Sequence, residues 1–285
     1  MISETDLILN PDGSIYHLNL LPEDLSNTVI TVGDPDRVGE VSKYFDRLDY
    51  KKGKREFLTH TGWIGNKRIT VISTGIGTDN IDIVLNELDA LVNIDFDTRL
   101  IKEKLTKLNI IRIGTSGSLH VAIPVGSVLV SDFALGFDAL MDYYTYSYDP
   151  SERELQSAVD AHFHVLKTVS PYLTSASSIL KEKIGFDLPS GITATVPGFY
   201  APQGRQVRAK NAIPNFIQLL QSFNYKDQQI TNLEMETAGI YALAKVLGHQ
   251  ALSVNVILAN RATNKFSSNP EQIIDKTIQL VLERL

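Results

Sequence analysis

Short β-branched segments that run into glycine turns, alternating with helical stretches, constrain this chain more than any other feature. Thr28–Val32 ends at Gly33-Asp34-Pro35-Asp36, Ile69–Ser73 at Thr74-Gly75-Ile76-Gly77, and Ile110–Gly114 at Thr115-Ser116-Gly117. Gly126–Asp132, Gly191–Val196 and Ala251–Leu258 are predicted as further strands. Between them the pattern predicts helices over Arg37–Phe45, Ile81–Val92, Ser151–Val169, Tyr172–Ile184, Met235–Leu247 and Asn269–Leu285, with a surface loop over Asp142–Pro150. The clearest is Ile81–Val92, whose apolar residues fall at 81, 84, 85, 88, 91 and 92, the spacing of one helical face. Apolar strands between helices demand a sheet covered on both sides. The expected fold is therefore α/β: a single domain over 1–285, with a central mixed, largely parallel sheet flanked by helices. In such sheets ligands collect at the carboxyl ends of strands, where the glycine turns lie.

Composition narrows the chemistry. There is no cysteine among the 285 residues, which removes disulfides, thiolate catalysis and zinc sites with sulfur ligands. A formal net charge of −6 argues against a nonspecific grip on nucleic acid or anionic lipid. No uninterrupted apolar run approaches the roughly 18 residues of a membrane span. The acidic start, Met1 to Asp6, is not followed by an apolar core, so no secretory signal is expected, and the cytoplasm is the expected location.

Several turns carry chemistry. Gly33 lets backbone amides approach an anion that Arg37 can also reach, although a helix capped by Asp34 or Asp36 with a solvated arginine fits the same residues. Arg112 lies within an apolar strand, where an unpaired guanidinium would be costly, so it must meet an anion or a carboxylate. The turn Gly114-Thr115-Ser116-Gly117 supplies amides and hydroxyls suited to phosphate. Thr74–Asn80 is no dinucleotide fingerprint, because Asn80 stands where its third glycine belongs. Gln203 and Arg205, two apart after Phe199-Tyr200, would point to one side of an extended loop. Together they offer the donors and acceptor that a pyrimidine imide edge requires. Glu234-Met235-Glu236 is predicted to open the long helix, either serving its dipole or contacting a sugar.

These landmarks, with Tyr16-His17-Leu18, Arg55-Glu56-Phe57 and Asn260-Arg261, occur in one order from residue 16 onward. In that arrangement the sequence resembles the uridine phosphorylases, within the superfamily of purine and pyrimidine nucleoside phosphorylases. The resemblance implies phosphate held by Gly33, Arg37, Arg112 and Thr115, with Arg55 reaching it from a neighbouring subunit. His17 would likewise cross to the ribose 5′-hydroxyl, while Met235 and Glu236 contact ribose. Phe199, Gln203, Arg205 and Leu258 would hold the base, with Arg205, Gln203 and Glu236 carrying the catalysis. Purine members carry a Ser-Asp pair where this chain has Leu258-Ala259-Asn260-Arg261, so the resemblance favours uridine and leaves deoxyuridine open.

The implied partners are a nucleoside, phosphate as co-substrate, and further copies of the chain in a dimer or hexamer. No cofactor or metal is required. Some members hold a monovalent cation between subunits at positions matching Glu56, Ile76 and Asn80, but Asn80 replaces their serine, which argues against the ion. The rivals are a purine nucleoside phosphorylase or nucleosidase of the same superfamily, and a non-catalytic nucleoside-binding protein.

Overall fold

The β-branched runs form the middle of a sheet because their side chains bury on both faces. In the computed structural model, which describes residues 1–167 and 169–285, β1 (Thr28–Val32) is followed by α1 (Pro35–Ser42). Asp34 caps that helix by accepting from the Asp36 amide, and Pro35 opens it, so it begins two residues before the expected Arg37. Then come β2 (Arg47–Lys54), β3 (Phe57–Ile64), β4 (Lys67–Ser73) and α2 (Thr78–Asn93). The next segment folds as a two-stranded ribbon, β5 (Ile94–Asp95) and β6 (Leu100–Ile101), before β7 (Asn109–Ser118) and β8 (Val128–Gly136).

The second half differs more from expectation. The predicted helix over Ser151–Val169 is α3 (Pro150–Phe163), started by a capping box between Asp149 and Glu152; Thr168, within the predicted span, lies outside the described residues. The predicted helix over Tyr172–Ile184 is instead a strand, β9 (Tyr172–Ser175), followed by α4 (Ser178–Ile184). Next are β10 (Ser190–Thr195), α5 (Phe216–Ser222), β11 (Asn224–Tyr225) and β12 (Gln228–Glu234). The chain then runs through α6 (Thr237–Leu247), β13 (Gln250–Asn260), β14 (Lys265–Phe266) and α7 (Pro270–Arg284). Glu234 therefore ends a strand, and α6 begins only at Thr237.

The sheet is mixed. β4, β1, β7 and β13 are joined in parallel, as are β8, β10 and β12, while β13 meets β8 antiparallel. β12 also returns to pair with β7, Leu233 opposite Gly117. The circuit β7–β13–β8–β10–β12 consequently closes on itself, a barrel-like curl at one end of an otherwise open sheet, with the β2–β3 hairpin extending the other. Apolar clusters lie on both sides, one built on α2 and α6, another on α1, α4 and α7.

Candidate active site

Arg112 organises the site. Its guanidinium folds back along β7 into space that exists only because residue 114 is glycine: a Cβ there would lie 1.6 Å from Nη1. β13 brings Asn255 Oδ1 to 3.1 Å from the same nitrogen. The return of β12 against β7 sets the Glu234 carboxylate 3.0 Å from Nη2, and Glu236, capping α6, comes within 2.6 Å. Sequence left an anion or a carboxylate open as the Arg112 partner; the fold supplies two carboxylates and keeps the guanidinium on a cleft wall.

The carboxylates are themselves anchored. Glu234 accepts from Thr195 Oγ1 at 2.6 Å and from the amides of Glu236 and Thr237. Glu236 Oε1 accepts the Gly77 N–H at 2.9 Å. Burial pushes the Glu236 pKa up, Arg112 pulls it down less strongly, and Glu234 adds to the rise. Burial would lower the Arg112 pKa, but the two carboxylates outweigh it and raise the value. Arg37 is shifted down, chiefly by its burial and next by the nearby Arg112 charge. The two guanidinium groups are thus close enough to repel, and both line the same cleft.

A cleft of about 820 Å³ joins these groups to the rest. Its lining brings together Gly33, Arg37, Arg112 and Thr115, Phe199, Gln203, Arg205 and Leu258, and Met235 and Glu236. Gln203 and Arg205 converge for a reason other than extended alternation. Ala201–Gln203 is a 3₁₀ turn closed by Gly204 at φ +66°, which reverses the chain and lets Arg205 Nη1 donate to Gln203 Oε1 and, at 2.7 Å, to the Phe199 carbonyl. The Arg205 guanidinium stacks 3.8 Å from the Phe199 ring centroid. Arg261, a family landmark without an assigned role, fixes this turn by donating to the Gln203 carbonyl at 2.9 Å.

Two predicted residues do not reach this cleft. Arg55 is exposed at the tip of the β2–β3 hairpin, in the left-handed region at φ +56° that a two-residue hairpin turn adopts. His17 is half-buried against α2. Glu56, Ile76 and Asn80 also line the cleft. Sequence reading missed Asn255, the anchoring role of Glu234 and the Gly77 amide. Glu234 stood in a quoted motif, and Asn255 was marked as a polar amide within the apolar run Ala251–Leu258.

The phosphorylase superfamily model matches residues 27–285. A uridine phosphorylase from Thermococcus kodakarensis is 30% identical, covering 92% of this chain and 83% of that protein. A DeoD-type purine nucleoside phosphorylase from Buchnera aphidicola is 26% identical over 95% of this chain and 98% of its own length. The solved Trypanosoma brucei nucleoside phosphorylase, described as showing uridine phosphorylase activity, superposes with a TM-score of 0.89 at 30% identity, covering 98% of this chain and 99% of that one.

Proposed function

The chain belongs to the phosphorylase superfamily, and from that premise we propose that it cleaves uridine with inorganic phosphate to uracil and ribose 1-phosphate. It is an enzyme of the pentosyltransferase class. The observation that carries the substrate is a single cleft lined by Arg37 and Arg112 and also by the Phe199, Gln203 and Arg205 cluster with Leu258 and Ala259, with no carboxylate from residues 258–261 to serve a purine N7.

Phosphate binds between Arg37 and Arg112, with the Gly33 amide and Thr115 as further donors, and this fixes it in line with C1′. Met235 lies along the sugar, and Glu236 accepts from the 2′- and 3′-hydroxyls. As the C1′–N1 bond lengthens, the ribose becomes oxocarbenium-like and charge flows onto the uracil oxygens. Arg205 and Gln203 donate to that developing charge, the kind of preorganised stabilisation that acts only in the transition state. The pyrimidine anion is delocalised, so no acid is needed on the base. Arg55 and His17 complete the site of a neighbouring copy in a dimer or hexamer, which accounts for their absence from the cleft of their own subunit. No cofactor and no metal enters the reaction.

Residues 1–285 act as one domain. No helix among the described residues is long and apolar enough to cross a membrane, and the proposed location is the cytoplasm. The test is uracil release from uridine and deoxyuridine with and without phosphate, with inosine in parallel. Phosphate-dependent release from uridine supports the reading. Activity on inosine alone would overturn the pyrimidine assignment, phosphate-independent release would make the protein a nucleosidase, and no turnover would favour a nucleoside-binding protein.

A further inference from the structure

His17 is held in a manner that the reaction as derived above does not use. One carboxylate, Glu87 on α2, receives the imidazole Nδ1 at 2.6 Å, the His17 amide at 3.0 Å and the Leu18 amide at 2.8 Å. Glu87 is 13% exposed and His17 25%, so water competes weakly for the contact. The Tyr16 ring packs edge-on against the imidazole, 4.7 Å between centroids. Tyr16 is pinned in turn by Lys54, which donates to its carbonyl at 2.6 Å and lies 4.3 Å from its ring centroid. Lys54 immediately precedes Arg55, so one set of contacts ties together both residues assigned to the partner's site.

A carboxylate only accepts, so a neutral imidazole facing it must carry its proton on Nδ1 and leave the Nε2 lone pair outward. Resting on the uridine reading above, we infer that Glu87 is a positioning residue: it fixes the tautomer and direction of His17 so that Nε2 accepts a hydrogen bond from the ribose 5′-hydroxyl in the partner's cleft. The contribution is specific to substrates that carry that hydroxyl.

The test compares uridine with 5′-deoxyuridine. In Glu87→Gln the kcat/KM ratio of uridine to 5′-deoxyuridine falls by roughly 5- to 10-fold, the scale of one hydrogen bond, while 5′-deoxyuridine turnover and the phosphate KM stay near wild type. His17→Ala produces the same fall, and the double variant adds nothing further. An equal loss on both substrates would reduce Glu87 to a structural role, and an unchanged ratio would remove it from the site. Should Glu87→Gln not fold, ¹⁵N NMR of the wild-type His17 ring decides: the Nδ1–H tautomer is expected, and Nε2–H overturns the inference. That spectrum is independent of turnover, so failure of wild type to cleave uridine would refute the functional reading without touching the Glu87–His17 assignment.

Discussion

Gly114→Ala is a small change with a large expected effect. Backbone conformation does not require glycine there; the space is taken by the Arg112 guanidinium, whose Nη1, Cζ and Nη2 would stand 1.6, 2.2 and 2.7 Å from the new methyl carbon. Ordinary non-bonded contact is about 3.5 Å, so the guanidinium must retreat by roughly 2 Å. That takes it from Glu234, Glu236 and Asn255 together and from the position proposed for phosphate. A displacement of about 1 Å already costs on the order of 10²-fold in rate, so uridine kcat/KM drops at least about 10²-fold and the phosphate KM rises. Stability suffers less. The guanidinium ends a flexible side chain and can re-pair, so the loss is a fraction of the roughly 3–5 kcal/mol for deleting one member of a buried ion pair. Steady-state phosphorolysis with varied phosphate, alongside thermal melts, measures both. Gly117→Ala, whose Cβ meets nothing closer than 3.6 Å, serves as the comparison and keeps most of its activity. Wild-type kcat/KM and phosphate KM in Gly114→Ala would refute the argument, because they would show that Arg112 need not occupy its observed place.

Arg205→Ala lowers uridine kcat/KM by at least about 10²-fold, the usual loss for one transition-state donor; an unchanged value removes Arg205 from the base site. Because burial raises the Glu236 pKa above the ordinary 4.5, the acid limb of the kcat/KM profile lies above that pH, and a profile flat down to pH 4.5 contradicts the role given to its carboxylate. The same sign governs stability. A carboxyl whose folded pKa is raised favours the fold when protonated and works against it as pH rises through that value. Glu236→Gln therefore loses activity at neutral pH without lowering Tm, since Arg112 keeps Glu234; a clear drop in Tm would reverse that sign. Phosphate at the proposed site would relieve the repulsion between Arg37 and Arg112, and a ligand at a hundred times its Kd stabilises by about 2.7 kcal/mol. Melting curves should rise by roughly 5 °C in wild type and not in Arg37→Ala, and the absence of any rise in wild type would move the anion elsewhere.

The central strands and the turns after them were legible because their signals are local. Thr28–Val32, Ile69–Ser73 and Ile110–Gly114 are short apolar runs ended by glycine, and all three lie within observed strands. Arg112 was recognisable as paired because charge in an apolar run has no cheap alternative. The edges were not legible. β2 reads Arg47-Leu48-Asp49-Tyr50-Lys51-Lys52-Gly53-Lys54, and most of it is exposed, so it has no apolar period to detect. β9 holds only four residues before α4 and continues the helical pattern in sequence, but it is a strand because it finds β8.

The sequence by itself determined an α/β chain with glycine turns at the ends of its central strands, and it named most of the residues that line the cleft. Only the tertiary structure decided what Arg112 meets. Glu234 and Asn255 are remote from it in sequence, and nothing local marks β12, a short and largely polar strand, as the one that curls back to β7. That contact depends on sheet curvature, with β10 and β13 already in place on either side, so it is a property of the assembled barrel and of no single segment.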